Sequence, residues 1–276
     1  MDDIYLSDPD THFVAELIDG YSFRNLVELL RVVSTTCNLH FSKEGIYYEQ
    51  SDPEQCIIMR WMIHAEELID YVYESKNPQT IIGININNLR TVAKTVGKKD
   101  GLKIYKVKGE RPVYIQVMGA TERGSERKNV STILPQAVDQ VYYDIPEYTD
   151  ADKGPNCVVQ ANIFAKVCAN ITSVKCKTIL VTSNSKGITL SAVMDNGVIS
   201  RAEALGDGTR SRPMVSNGEV SIQTKYAIVK ALSKINNLSS QGMIKFYSQP
   251  GNPIKATCKI GSYGSLEIYL ILPMEE

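Results

Sequence analysis

The chain writes one pattern twice, and the two copies are offset by about 141 positions. Phe23 opens an amphipathic stretch, FRNLVELLRVV, that runs into a strand-like CNLHFS and a turn at Gly45 and Ile46. Phe164 opens a second, FAKVCANITSV, that runs into KTILVTS and a turn at Gly187 and Ile188. In each half a short apolar strand ends on a polar residue, IGINI before Asn87 and VSIQ before Thr224. A basic helical segment follows, NLRTVAKTV or KYAIVKALSKI, and each half closes on a proline and a β-pattern, Pro112 in RPVYIQV and Pro253 in NPIKATCKI. A period of this length is too long for a solenoid repeat and describes a duplicated domain. Duplication points to a symmetric scaffold rather than to a single catalytic cleft.

Between the helical segments the pattern is β throughout. CIIMRWMIHA, GLKIYKV, VYIQVMG, CVVQANI, TILVTS, ITLSAV, MIKFYS and LEIYLIL are short apolar or alternating runs. KEG, SDPE, KKDG, NSKG, MDNG and QPGNP separate them with residues suited to turns. The expected architecture is α+β: two similar β-rich domains, each with two helices on one face of its sheets. Residues 1–120 form the first domain, 121–156 an inter-domain connector and 157–276 the second domain. The connector begins and ends polar, but its centre, ILPQAVDQVYYDIP, is apolar. A plain linker seldom exposes Val141, Tyr142, Tyr143 and Ile145 without using them, so the segment is a candidate docking groove.

Helices are expected over 23–36, 87–99, 163–175 and 224–235. They hold eleven basic residues (Arg24, Arg31, Arg90, Lys94, Lys98, Lys99, Lys166, Lys175, Lys225, Lys230 and Lys234) against one acid, Glu28. The rest of the chain keeps nineteen basic and thirty acidic residues, so a net charge of −1 conceals a segregation. Charged helix faces are ordinarily just solvated, but solvated helices mix both signs for i,i+4 pairing. A one-signed helical surface suits a polyanion. Glu28 reads as an intrahelical partner for Arg24 and Arg31.

At 43% hydrophobic and 22% charged residues the composition is that of an ordinary globular protein. No apolar run reaches membrane-spanning length, and the acidic start MDDIYLSDPD does not read as a signal peptide. Six cysteines without CxxC spacing suggest a reducing compartment and packing roles.

Four segments carry a family resemblance. FRNLVELLRVV is similar to the first helix of the proliferating cell nuclear antigen family, the eukaryotic and archaeal DNA sliding clamps. GININNLRTVAKTVG resembles that family's VNLxxMxKxLK stretch, and IFAKVCANI follows its EFARICRDL. PIKATCKIGSYGSLEIYLILP resembles its PLxxxYxIxxxGxLxYYLAP ending. The four occur in order, at matching separations, over essentially the whole chain.

The resemblance implies a ring of three subunits, with helices lining the hole and sheets forming the rim. Such a ring contacts DNA through phosphates alone, since base contacts would pin it to one sequence. Arg24, Arg31, Lys94, Lys166 and Lys225 fall where the family has basic residues facing the hole; Arg90, Lys230 and Lys234 join them from helix periodicity. Ala169 stands where another base is usual. The family's partner pocket maps to Ser51 and Asp52, to Tyr143, Ile145 and Pro146, and to Pro253, Tyr269 and Ile271. Ser51 replaces a larger apolar residue, which implies an altered peptide preference. Ser185 sits where the eukaryotic clamp has a modifiable lysine. Subunit contacts map to strand RPVYIQV, with Val113, Ile115 and Val117, and to strand VISRAEAL, with Ile199, Arg201 and Ala204.

The implied partners are double-stranded DNA, two further copies of the chain, a DNA polymerase and other proteins bearing the clamp-binding peptide motif (the PIP motif), and an ATP-dependent clamp loader. No cofactor, no metal and no membrane is implied. The expected location is the nucleus, or a cytoplasmic replication site for a viral member. A subunit of a heterotrimeric checkpoint-type clamp and a monomeric viral processivity factor are the alternatives. An enzyme is disfavoured: His12, His40 and His64 are isolated, and no phosphate-binding glycine loop, HExxH or GxSxG occurs.

Overall fold

The computed structural model describes residues 10, 12–120, 126–139, 141, 143, 145, 155–174, 176–184, 187–193, 199–206, 219–238 and 242–271; the side chains of 120, 126–128, 193, 199 and 200 fall outside that description. The chain divides into two compact units. The first comprises residues 1–50, 60–142 and 260–265, the second 51–59, 143–259 and 266–276.

In the first unit, β1 (His12–Leu17), β5 (Asp70–Glu74), β7 (Gly101–Lys106), β8 (Val113–Ala120) and β9 (Glu126–Ile133) form an antiparallel sheet in the order β5-β1-β7-β8-β9. A second sheet orders β2 (Thr36–Ser42), β3 (Gly45–Ser51), β4 (Ile57–His64) and β6 (Gln79–Asn85) as β4-β3-β2-β6. Helices α1 (Gly20–Leu30) and α2 (Ile86–Ala93) pack on each other and on strands of both sheets. Strict alternation in β1 and β7 sends Phe13, Ala15, Leu17, Leu102 and Ile104 into the core, where Phe13 stacks on Phe41. Asp19 starts α1 by accepting the amide of Ser22, and Asn85 starts α2 by accepting those of Asn87 and Asn88.

The second unit repeats this plan. β11 (Thr178–Asn184), β12 (Gly187–Val193), β13 (Ile199–Leu205) and β14 (Val220–Lys225) form a sheet ordered β13-β12-β11-β14. β10 (Cys157–Gln160), β15 (Met243–Tyr247), β16 (Ile254–Ile260) and β17 (Gly264–Leu270) follow in the order β10-β15-β16-β17. α3 (Ala161–Ile171) precedes β11, and α4 (Tyr226–Leu232) follows β14. Each of β6-β2-β3-β4 thus has its counterpart in β14-β11-β12-β13, and each of β1-β7-β8-β9 in β10-β15-β16-β17. The duplicated turns match in detail. Gly45 has φ +135° and Gly187 φ +133°; a Cβ would lie 1.9 Å from the Ile63 carbonyl oxygen at the first and 2.1 Å from that of Leu205 at the second. Only glycine fits either position.

Three expectations are corrected. The helices are shorter than read: six of the ten described basic residues counted there lie outside α1–α4. The apolar period continues through caps and turns, where backbone hydrogen bonds become three-residue ones, as for Val33 to Leu30 and Lys234 to Ala231. Residues 126–133, assigned to the connector, are strand β9, which hydrogen-bonds β8 over its whole length. β9 escaped recognition because it exposes Val130 and Thr132 and buries Ile133 alone among its described side chains from 129 to 133. The third correction follows from it. β8, expected to be an exposed edge, is paired on both sides, and Val113, Ile115 and Val117 are fully buried. The edge strand is β9.

Among the described residues no helix is long and apolar enough to cross a membrane.

Candidate nucleic-acid and partner surfaces

The helix faces turned away from the sheets carry the expected cations, but not all of them are available. On α1, Arg24 donates to the Val96 carbonyl at 2.8 Å and lies over the Tyr21 ring. Glu28 accepts from Arg90 of α2 at 2.7 Å, a contact between helices. The spacing rule along one helix missed this contact because the two helices lie side by side. Arg31 caps the C-terminus of α1 and Lys94 that of α2, both exposed, where a cation also meets the negative end of the helix dipole. Lys98 and Lys99 are exposed in the turn beyond.

In the second unit Lys166 is exposed on α3, with Ala169 exposed one turn on. Lys230 is exposed on α4 and lies over the Tyr226 ring, and Lys234 is exposed past the helix end. Lys225 is not on a helix face. It ends β14, and its ammonium sits 2.8 Å from carboxylate oxygens of both Asp52 and Glu54. Burial alone would lower its pKa; the two carboxylates outweigh that and raise it. Lys175 lies outside the described residues.

The partner-pocket residues divide in the same way. Asp52 is 4% exposed and organises the turn after β3: it accepts the amides of Cys56 and Ile57 at 2.7 and 3.1 Å and the Lys225 ammonium. Ser51 is buried, its hydroxyl donating to the Asp52 carbonyl. These two are the frame of a loop rather than its surface. Tyr143, Ile145, Pro253 and Ile271 are half-buried, and the Ile271 amide donates to the Cys56 carbonyl at 3.0 Å. Tyr269 is 3% exposed; its hydroxyl donates to Glu267 at 2.7 Å, and Lys255 lies over its ring while pairing with Glu267 at 2.6 Å. Pro146, Ser185 and Lys186 lie outside the described residues. Sequence reasoning missed Lys255 and Glu267, whose i, i+2 spacing from Pro253 and Tyr269 on one sheet face was available.

The start of the connector is held to the first unit. Gln136 donates to the Gly83 carbonyl, a Cβ at Gly83 would lie 2.1 Å from the Gln136 carbonyl oxygen, and Asn38 donates to the carbonyls of Val138 and Asp139.

Arg201 and Ala204, both exposed, lie on β13, an edge strand paired only with β12 among the described residues. Ile199 opens the same strand. β9 is likewise paired on one side only. The two strands that occupy the corresponding places in the other copy of the repeat, β17 and β4, are neighbours. His64 donates to Tyr263 at one end of that pair and Ile271 to Cys56 at the other.

His12 hydrogen-bonds the Lys106 carbonyl, burial lowers the pKa of His40, and burial pushes the Cys37 thiol up to about 12. None of the six cysteines forms a disulfide. No cluster with metal-ligand composition occurs among the described residues.

This duplicated arrangement is the clamp fold of proliferating cell nuclear antigen. The structure is similar to the crystal structure of that antigen from Entamoeba histolytica, with a TM-score of 0.73 over 94% of this chain and 97% of the other, at 16% identity. It is similar also to the PCNA2-PCNA3 complex from Sulfolobus tokodaii, with a TM-score of 0.72 over 95% of this chain and 100% of that one, again at 16% identity. No family model matches the sequence, and no curated protein matches it significantly.

Proposed function

We propose that this chain is a DNA sliding clamp, a non-enzymatic ring that encircles duplex DNA and tethers replication and repair enzymes. The observation that carries the proposal is the pair of one-sided edge strands, β9 and β13, standing in the repeat where the paired strands β17 and β4 stand. Pairing β9 of one copy with β13 of the next would reproduce the β17–β4 joint at every subunit boundary, without a new kind of contact. It would also cover two edges that invite non-specific association when left bare. A closed set of such joints is a ring, and three copies close it in the clamps that the sequence resembles.

The exposed cations Arg31, Lys94, Lys166, Lys230 and Lys234, with Arg24 and Arg90 held in place by their partners, give the helix surfaces a positive sign. Contact with phosphates needs no more than that. In this reading Tyr143, Ile145, Pro253, Tyr269 and Ile271, the positions that the resemblance assigns, supply the socket for a partner peptide with a glutamine and an aromatic plug. Burying such a plug contributes about 1.5–3 kcal/mol per large side chain. A polymerase and an ATP-dependent loader are the partners this reading requires, at a nuclear or viral replication site.

The test is retention on DNA of different topology. Protein loaded on nicked circular duplex should resist a high-salt wash and be released when the circle is cut. Release that is equally fast from circular and linear DNA would contradict encirclement.

A further inference from the structure

The outer face of the β10-β15-β16-β17 sheet carries a charge pattern that sliding on DNA does not use. Lys245 of β15 lies opposite Thr257 of β16, and Tyr247 lies opposite Lys255. Alternation along β16 turns Ile254 to the core and Lys255, Thr257 and Lys259 to the other face. Lys255 and Lys259 therefore flank Thr257 at about 7 Å along the strand, with Lys245 about 5 Å across from it. Lys245 and Lys259 are exposed, and neither has an ion-pair partner among the described residues. The sole acid in these four strands is Glu267, already engaged by Lys255 and the Tyr269 hydroxyl. Through Lys255, which lies over the Tyr269 ring, this basic face continues into the peptide socket. Exposed Val158, opposite Lys245, and exposed Met243 continue it at the other side.

We infer that this face receives an acidic flank of the partner peptide, so that the clamp selects partners carrying Asp or Glu beside the aromatic plug. The inference rests on the docking reading above. An extended peptide places side chains four residues apart about 13 Å from each other, which is the spacing of Lys255 and Lys259 on β16, so carboxylates at i and i+4 meet both lysines. A carboxylate reaching Lys255 also replaces Glu267 as its partner and lets the lysine swing off the Tyr269 ring as the plug arrives. Val158 and Met243 suit a peptide with intervening apolar residues better than a phosphate backbone.

Three synthetic plug peptides with acidic, neutral or basic flanks would be titrated calorimetrically against the full chain and against K245A/K259A, which spares the Lys255–Glu267–Tyr269 contacts. In low salt the acidic flank should bind the wild type about three- to tenfold more tightly than the neutral one. The basic flank should bind more weakly, and the double variant should lose the preference while binding the neutral peptide as before. Equal affinities for all three flanks, or a preference that persists in the variant, would overturn the inference and leave the socket standing. If no peptide binds, the socket itself falls and takes the inference with it. Duplex oligonucleotide binding should be unchanged in K245A/K259A; a loss matching that from helix-face variants would assign this face to nucleic acid instead.

Discussion

The two helix pairs of the repeat began as copies and now treat their cations differently. On α1 and α2, Arg24 and Arg90 are held by a carbonyl and by Glu28, while Arg31, Lys94, Lys98 and Lys99 remain exposed at and just beyond the helix ends. On α3 and α4, Lys166 and Lys230 are exposed, as is Lys234 just past α4; Ile163 and Ala169 expose apolar surface, and Lys225, at the end of β14, is withdrawn into a carboxylate pair. A basic residue in a helical segment is thus a charge, but not always a ligand for a polyanion. The first unit should carry the larger share of DNA contact.

The largest expected effect breaks that comparison directly. Replacing Arg31, Lys94, Lys98 and Lys99 by alanine should reduce the slope of log affinity against log salt by about 3.6, and replacing Lys166, Lys230 and Lys234 by about 2.7, at roughly 0.9 per phosphate contact. Fluorescence anisotropy with a duplex between 50 and 200 mM salt (about the range where such slopes are resolved) measures both. Neutralising Lys43, Lys76 and Lys108, off the helix faces, should leave the slope unchanged.

Lys225→Met should separate structure from binding. It leaves the Asp52 carboxylate buried without its cation, which costs about 1–2 kcal/mol for a pair that is partly open to solvent. Urea unfolding should show that loss while DNA affinity changes little. Glu28→Gln should do the reverse: Arg90 is released, and the salt slope should rise by at most about 0.9.

The smallest effect is a pH dependence in the first unit. Burial holds the His40 pKa below its ordinary value, so the unfolded chain takes up the proton first. The stability from the neutral ring is complete above the ordinary imidazole range and is lost as pH falls through it. Urea midpoints should drop between about pH 7.5 and 5.5, and His40→Gln should flatten that difference.

Much of this was legible in the sequence, and the failures have physical causes. The duplication, the turn glycines and the strands from β10 onward are written in local apolar periodicity and in positions only glycine fits. β1, β3, β5 and β9 were not, and two of these, β5 and β9, are edge strands. The assignment of β8 as the edge failed for that reason: without β9, the last clear β-pattern seemed to end the sheet. Asp52 and Lys225 are 173 positions apart, and no local pattern announces that a pocket candidate and a DNA candidate neutralise each other. Glu28 and Arg90 repeat that lesson across two helices.

The central claim is that β9 and β13 join copies of this chain into a closed ring. Successive amides of a strand point to opposite sides, so one of Val130→Pro and Ser131→Pro removes an outward donor of β9 while sparing its bonds to β8. Light scattering coupled to size exclusion measures the outcome. The account predicts a mass of three chains for the wild type and a fall to one chain, with the fold retained, in one of the two proline variants. A wild type of single-chain mass at tens of micromolar, or three chains surviving in both variants, would contradict it.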